Sequence, residues 1–181
     1  MIARNLSKFI LWLLGWKLRM ELPATKKYIV IIAPHTSNWD FLLGKLANWS
    51  CGQKPKVLVK KEAFKFIIGA IIRKWGGVPI DRKRSKNLVD QVVQYFNDND
   101  EFILGITPEG TRKRNPDWKT GFYRIAVKAN VPIYFGYIDF ATKRLGMHDF
   151  FIPTGNMESD INQIKSYYKD MKGYNPDQFA V

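Results

Sequence analysis

His35 is followed five residues later by Asp40 in the run Ala33-Pro34-His35-Thr36-Ser37-Asn38-Trp39-Asp40. An imidazole can take a proton from a hydroxyl near neutral pH, and a carboxylate on one ring nitrogen fixes the tautomer that leaves the other free. Ser37 suits the N-cap of a following helix. Asp40 then falls at the third helical position, the capping-box site, where the helix dipole favours its charge. Two readings stand: a base with its orienting acid, or a capped helix beside an ordinary loop histidine. A second run, Thr107-Pro108-Glu109-Gly110-Thr111-Arg112-Lys113-Arg114, offers a glycine for a tight turn, a hydroxyl, and arginines able to grip phosphate. Glu109 and Arg112 could equally form a structural ion pair. A third, Gly77-Val78-Pro79-Ile80-Asp81-Arg82, ends an apolar stretch on an arginine, which taken alone reads as a solvated charge.

These runs need elements to position them. Tyr28–Ala33 is a continuous β-branched stretch, the pattern of a strand buried on both faces. Further strands are expected at Lys56–Val59, Val78–Ile80, Phe102–Ile106, Ile133–Phe140 and Asp149–Ile152. Apolar residues at three- and four-residue spacing predict helices at Trp39–Trp49, Glu62–Trp75, Ser85–Asn97, Gly121–Ala129 and Asp160–Met171. Strands alternating with helices imply one α/β domain: a largely parallel, mixed sheet flanked by helices on both faces. Ligands bind such sheets beyond the carboxyl ends of the strands, which is where all three polar runs fall.

Charge narrows the partners. Lys and Arg total 29 against 16 Asp and Glu, a net charge of +13. Such an excess favours nucleic acid, an anionic bilayer or phosphorylated small molecules. No nucleic-acid motif is present, and nucleic-acid binding would leave the His35 and Glu109 runs without a purpose, so no nucleic acid is expected. One cysteine, Cys51, rules out a disulfide framework, and with only His35 and His148 no metal site is expected.

Residues 1–22 are set apart from 23–181. Phe9–Trp16 is strongly apolar but too short to span a bilayer, which needs roughly 20 residues. Arg4 and Lys8 precede it as in a signal peptide, yet Trp16-Lys17-Leu18-Arg19 stands where small residues should mark cleavage. What remains is a short amphipathic helix, lying in a membrane interface or packed on the domain. The expected Glu62–Trp75 helix poses the same choice: its Ile-rich face, flanked by Lys65, Arg73 and Lys74, docks on anionic lipid or packs on the sheet.

Taken in order, the polar runs resemble the lysophosphatidic acid acyltransferase family of glycerolipid acyltransferases. The family's His-x-x-x-x-Asp is met by His35 and Asp40, and its Ile-Asp-Arg strand end by Gly77 to Arg82. Its Pro-Glu-Gly-Thr-Arg block stands at Pro108 to Arg112, and its Val-Pro-Ile strand at Val131 to Ile133. The resemblance runs from about Tyr28 to Ile138. Three features depart from it: Pro34 where asparagine is common, Tyr134-Phe135-Gly136 where a second proline is usual, and a short N-terminal membrane region. The resemblance implies acyl transfer from a thioester donor, acyl-CoA or acyl-carrier protein, to a phosphate-bearing lyso-lipid such as 1-acylglycerol 3-phosphate. Another lyso-lipid acceptor, a lysophospholipid or lyso-aminolipid, is the alternative. Behind it stands a non-catalytic basic lipid- or nucleic-acid-binding protein, against which the presence of both His35 and Asp40 argues. The acyl-transfer reading makes His35 the general base and Asp40 its orienting acid. Lys60, Arg82, Glu109, Gly110, Thr111 and Arg112 would place the acceptor's phosphate and glycerol. Attack on the thioester is then direct, so Cys51 takes no part, and neither metal nor cofactor is expected. The implied location is the cytoplasmic face of a membrane, peripheral or monotopic, against an anionic surface, with 23–181 as the acyltransferase domain.

Overall fold

A computed structural model describes residues 2–81 and 88–181. The first half of the chain folds as α1 (Ile2–Leu13), β1 (Lys17–Met20), β2 (Lys27–Ala33), α2 (Trp39–Cys51), β3 (Lys56–Lys60), α3 (Phe66–Lys74) and β4 (Gly77–Ile80). It continues through α4 (Leu88–Asp98), β5 (Phe102–Ile106), α5 (Gly121–Ala129), β6 (Ile133–Asp139), β7 (Arg144–Phe151) and α6 (Met157–Tyr168). The strands form one sheet in the order β1-β7-β6-β2-β5-β3-β4, with every pairing parallel except β6 with β7.

β2 runs through the middle because its residues are apolar on both sides, as only a doubly covered strand requires. Ile29, Ile31 and Ala33 face a core built with α4, α5 and α6, where Val92, Phe96, Phe122 and Ile164 are buried against them. Tyr28, Val30 and Ile32 face the other way, toward Met20 and Met147. Burial of each large aliphatic side chain contributes roughly 1.5–3 kcal/mol. On the second face, Leu11 of α1 packs with Leu43, Leu46 and Ala47 of α2 over Ile138 and Leu145. Arg4 Nε ties α1 down further by donating to the Ser50 carbonyl at 3.1 Å. The N-terminal helix therefore docks on the domain through one stripe, while Ile2, Leu6, Phe9 and Trp12 stay exposed. Among the described residues no helix is long and apolar enough to cross a membrane.

Four elements differ from the sequence reading. α6, expected at Asp160–Met171, runs from Met157 to Tyr168 because the Asn156 side chain caps it by accepting the Ser159 amide. β1 was not expected: its alternation of Lys17 and Arg19 with Leu18 and Met20 spans four residues, and its partner β7 lies far along the chain. β7 begins at Arg144 rather than Asp149, because Leu145 and Met147 are buried beneath α2 and opposite β1. The expected Glu62–Trp75 helix is broken. A 3-10 turn, Lys61–Ala63, comes first, then Lys65 is extended and Phe66 takes a left-handed φ of 47°, so α3 starts only at Phe66. Its apolar face turns outward, with Phe66 95% and Ile67 77% exposed. The expected start of the next helix, at Ser85, lies outside the described residues.

Candidate active site

β2 ends at Ala33, and a cis Ala33–Pro34 peptide leads into the turn that carries His35. His35 Nδ1 lies 3.2 Å from Asp40 Oδ2, the imidazole 19% exposed and the carboxylate 2%. The same Oδ2 accepts the backbone N–H groups of Thr36 and Ser37, each at 2.8 Å. α2 starts at Trp39, and the Ser37 hydroxyl accepts the Trp39 amide at 3.1 Å. The cap differs from the expectation: Asn38, not Ser37, is the N-cap and makes no side-chain capping bond. Asp40 is therefore the second helical residue, and its Oδ2 gathers the amides of the preceding turn while lying against the imidazole. With Nδ1 turned to the carboxylate, Nε2 is left as the ring position for a substrate proton.

The 107–120 loop stands next to this turn because β5 pairs with β2. Gly110 takes a φ of +68°, which bends the loop back so that Lys119 N donates to the Pro108 carbonyl at 2.7 Å. Asn115 Nδ2 donates to the Glu109 carbonyl at 2.8 Å. The Glu109 side chain is wholly buried, and its Oε1 accepts the His35 amide at 2.7 Å. Glu109 Oε2 and Asp40 Oδ1 are buried with no hydrogen-bond partner among the described residues. Burial pushes the Glu109 carboxyl up to about 8; the bond from the His35 amide pulls against that shift, and the nearby Asp40 charge adds to it. At neutral pH this acid is mostly protonated.

Around the dyad the other anticipated residues divide. Gly110 and Arg112 are exposed, and Thr111, half-buried, has its hydroxyl accepting the Lys113 amide at 3.1 Å. Lys60 ends β3 and is exposed. Glu109, expected at the acceptor, turns its carboxyl inward to the His35 backbone. Arg82 lies outside the described residues. The C-terminal segment gave no signal in the sequence, yet it reaches the site: Asn175 Nδ2 donates to the Thr36 carbonyl at 2.9 Å. Polarity offered no way to find Asn175, since its partner is 139 residues away.

From His35 an apolar cavity of about 460 Å³ runs under the second face of the sheet. Tyr28, Val30 and Ile32 of β2 line one wall, and Phe41, Gly44 and Ala47 of α2 the other. His35, Asp40, Thr107 and Gly110 stand at one end, and Tyr28, with its hydroxyl donating to Gln53 Oε1 at 3.2 Å, at the far end. At 3.3 Å per residue the strand from Tyr28 to the turn gives a depth of roughly 20 Å. The arrangement can draw a proton from a hydroxyl at Nε2 while an apolar chain lies in the cavity beside it.

An α/β sheet thus sets a His–Asp pair at one end of an apolar cavity, the kind of site an enzyme can use. A comparison with protein-family models matches residues 17–137 to one described as Acyltransferase. The chain therefore belongs to the acyltransferase family. Its fold is also that of the crystal structure of PlsC, the 1-acyl-sn-glycerophosphate (LPA) acyltransferase from Thermotoga maritima. That match has a TM-score of 0.61 and 20% sequence identity, over 91% of this chain and 74% of that one. A search of curated proteins gave no match.

Proposed function

We propose that this enzyme moves a fatty acyl group from acyl-CoA or acyl-carrier protein to the free hydroxyl of a phosphate-bearing lyso-lipid, with 1-acylglycerol 3-phosphate as the acceptor. The observation that carries the reading is His35 Nδ1 held 3.2 Å from the buried Asp40 at one end of an apolar cavity. His35 Nε2 takes the hydroxyl proton as the oxygen attacks the thioester carbonyl carbon. The tetrahedral intermediate collapses with loss of the thiolate, which takes the proton from the imidazolium and leaves as a thiol. The ester keeps the acyl group, no acyl-enzyme forms, and no resident metal or cofactor is used. Asp40 stabilises the imidazolium and keeps the ring turned, and general-base help of this kind is worth about 100- to 10,000-fold. The cavity takes the donor's acyl chain. Holding both substrates in line supplies much of the remaining barrier reduction.

The acceptor assignment is supported by the exposed Lys60 and Arg112 on the carboxyl side of the sheet, by the basic run at Arg82–Arg84, and by the acceptor named for the structurally similar PlsC. Glu109 acts through His35, whose amide it holds.

An anionic membrane is the proposed partner surface. α1, α2 and α3 lie side by side on the cavity face: α1 packs on α2, Trp75 stacks on Phe41 at 6.0 Å, and Lys45 Nζ donates to the Trp75 carbonyl at 2.8 Å. Their outward side chains include Trp12, Trp39, Leu42, Phe66, Ile67 and Ile71, all exposed, with Lys65, Arg73 and Lys74 beside them. An apolar patch edged with cations suits insertion at lipid headgroup depth, and the cytoplasmic leaflet carries the anionic lipids.

The test is thiol release from acyl-CoA, and separately from acyl-carrier protein, with and without 1-acylglycerol 3-phosphate, for the wild type and His35→Ala. Acceptor-dependent release that the substitution abolishes is expected. Acceptor-dependent release that survives in His35→Ala refutes the base assignment. Release from neither donor refutes the acceptor, and a panel of other lyso-lipids then decides between another acyl acceptor and a binding role.

A further inference from the structure

Thr36 is the residue between the base and the amides that hold Asp40, and it is almost fully buried. Its own N–H donates to Asp40 Oδ2 at 2.8 Å. Its hydroxyl oxygen accepts the Asn175 backbone N–H at 3.1 Å, and its carbonyl accepts Asn175 Nδ2 at 2.9 Å. Gln178, with its amide in the orientation its neighbours satisfy, donates to the Thr36 carbonyl at 3.3 Å and to the Arg112 carbonyl at 2.6 Å. One side chain thus touches both loops of the site. Gly173 makes the approach close: a Cβ there would lie 2.5 Å from Thr36 Oγ1 and 3.2 Å from Pro34 Cβ.

This segment is itself anchored away from the site. Lys172 N donates to Asp139 Oδ1 at 3.1 Å, and the Lys172 carbonyl accepts the Phe140 amide at 2.9 Å. The Tyr174 ring meets Phe140 edge-on at 5.3 Å, and Trp118 Nε1 donates to the Ala180 carbonyl at 3.2 Å. A strap fixed at both ends crosses the site and grips the base-bearing turn on one side and the 109–112 loop on the other. It lies beyond residue 137, where the family match ends.

We propose that residues 173–178 complete the active site, with Asn175 a positioning residue that fixes the turn carrying the His35–Asp40 pair and Gln178 the link from that turn to the 109–112 loop. Asn175 touches no reacting atom. It acts by fixing the Thr36 peptide, whose amide is one of the two backbone donors to Asp40, so that the carboxylate and hence the imidazole keep one orientation. Buried polar partners of this kind hold when every bond is made, and loosen together when one is removed.

The inference rests on the acyl-transfer reading, and two readouts keep the two apart. Asn175→Ala and Thr36→Val are compared with the wild type for kcat and KM in the thiol-release assay. Both are expected to lower kcat about 10- to 100-fold, as a misplacement of catalytic groups does, with KM for donor and acceptor little changed. Hydrogen exchange at the Thr36 and Ser37 amides needs no turnover, and it should speed up about tenfold or more in Asn175→Ala with global unfolding unchanged. A wild type with no transferase activity would sink the reading of function while leaving the exchange result to judge the strap. Unchanged amide exchange, or a lower unfolding temperature with kcat intact below it, would overturn the proposal.

Discussion

Replacing Glu109 by glutamine isolates one buried proton. The folded protein holds it up to a pH of about 8, whereas the carboxyl's ordinary value is 4.5. Between those values the folded state carries a proton that the unfolded chain has released, so the Glu109 contribution is most favourable below pH 4.5 and declines as pH rises to about 8. The decline is about 1.4 kcal/mol per pH unit, and it accumulates to roughly 3 kcal/mol by pH 7, a large share of a domain's typical 5–15 kcal/mol. Glutamine keeps an oxygen for the His35 amide and cannot ionise. Urea unfolding of both proteins at several pH values between 5.5 and 7.5 measures the effect. The stability difference between them should change by about 3 kcal/mol across that range, with the wild type losing ground as pH rises. Titrating groups that do not interact with Glu109 are common to both proteins and cancel. Parallel stability curves for the two would refute the account of a buried, neutral Glu109.

Three further outcomes follow from the cavity and the exposed helix face. Gly44 lies on the cavity wall in the middle of α2, and a Cβ there meets nothing within 4 Å. Gly44→Ala should therefore stabilise the fold by about 0.5–1 kcal/mol in thermal unfolding, while Gly44→Leu should fill the cavity and shift donor preference to shorter chains in a chain-length series. Unaltered preference in Gly44→Leu would mean that the acyl chain lies elsewhere. Phe66→Ser with Ile67→Ser should weaken binding to anionic vesicles and lower turnover of vesicle-borne acceptor, while a short-chain, water-soluble acceptor reacts at the wild-type rate. Wild-type vesicle binding in that variant would remove α3 from the docking surface.

The centre of the fold was legible because its signals are local. The β-branched run of β2 announces a doubly buried strand, and the polar runs after β2 and β5 point to the carboxyl edge of the sheet. The spacing of His35 and Asp40 brought those residues to notice, but it left open whether Asp40 caps or orients. The structure adds that one Asp40 oxygen accepts the Thr36 and Ser37 amides and lies 3.2 Å from the imidazole, a geometry compatible with both. What stayed hidden depends on distance along the chain. β1 is defined by β7, the Asn175 strap by Thr36, and the inward turn of Glu109 by an amide 74 residues away. Helical periodicity in α3 was read correctly as a pattern but not as a length, since nothing about Phe66 announces a left-handed backbone. Its apolar residues show only that the face avoids water, and not whether lipid or protein covers it.

Along β2 the alternation of side chains separates two kinds of selection. Ile29 and Ile31 belong to the core with α4, α5 and α6, whereas Val30 and Ile32 line the cavity, so neighbours in sequence answer to different demands. If the cavity takes the acyl chain as proposed, a change at Ile29 or Ile31 is screened by whether the chain still folds, and one at Val30 or Ile32 also by which acyl chain still fits. Substrate range could then drift by single substitutions on one side of the strand while the larger core on the other is left undisturbed.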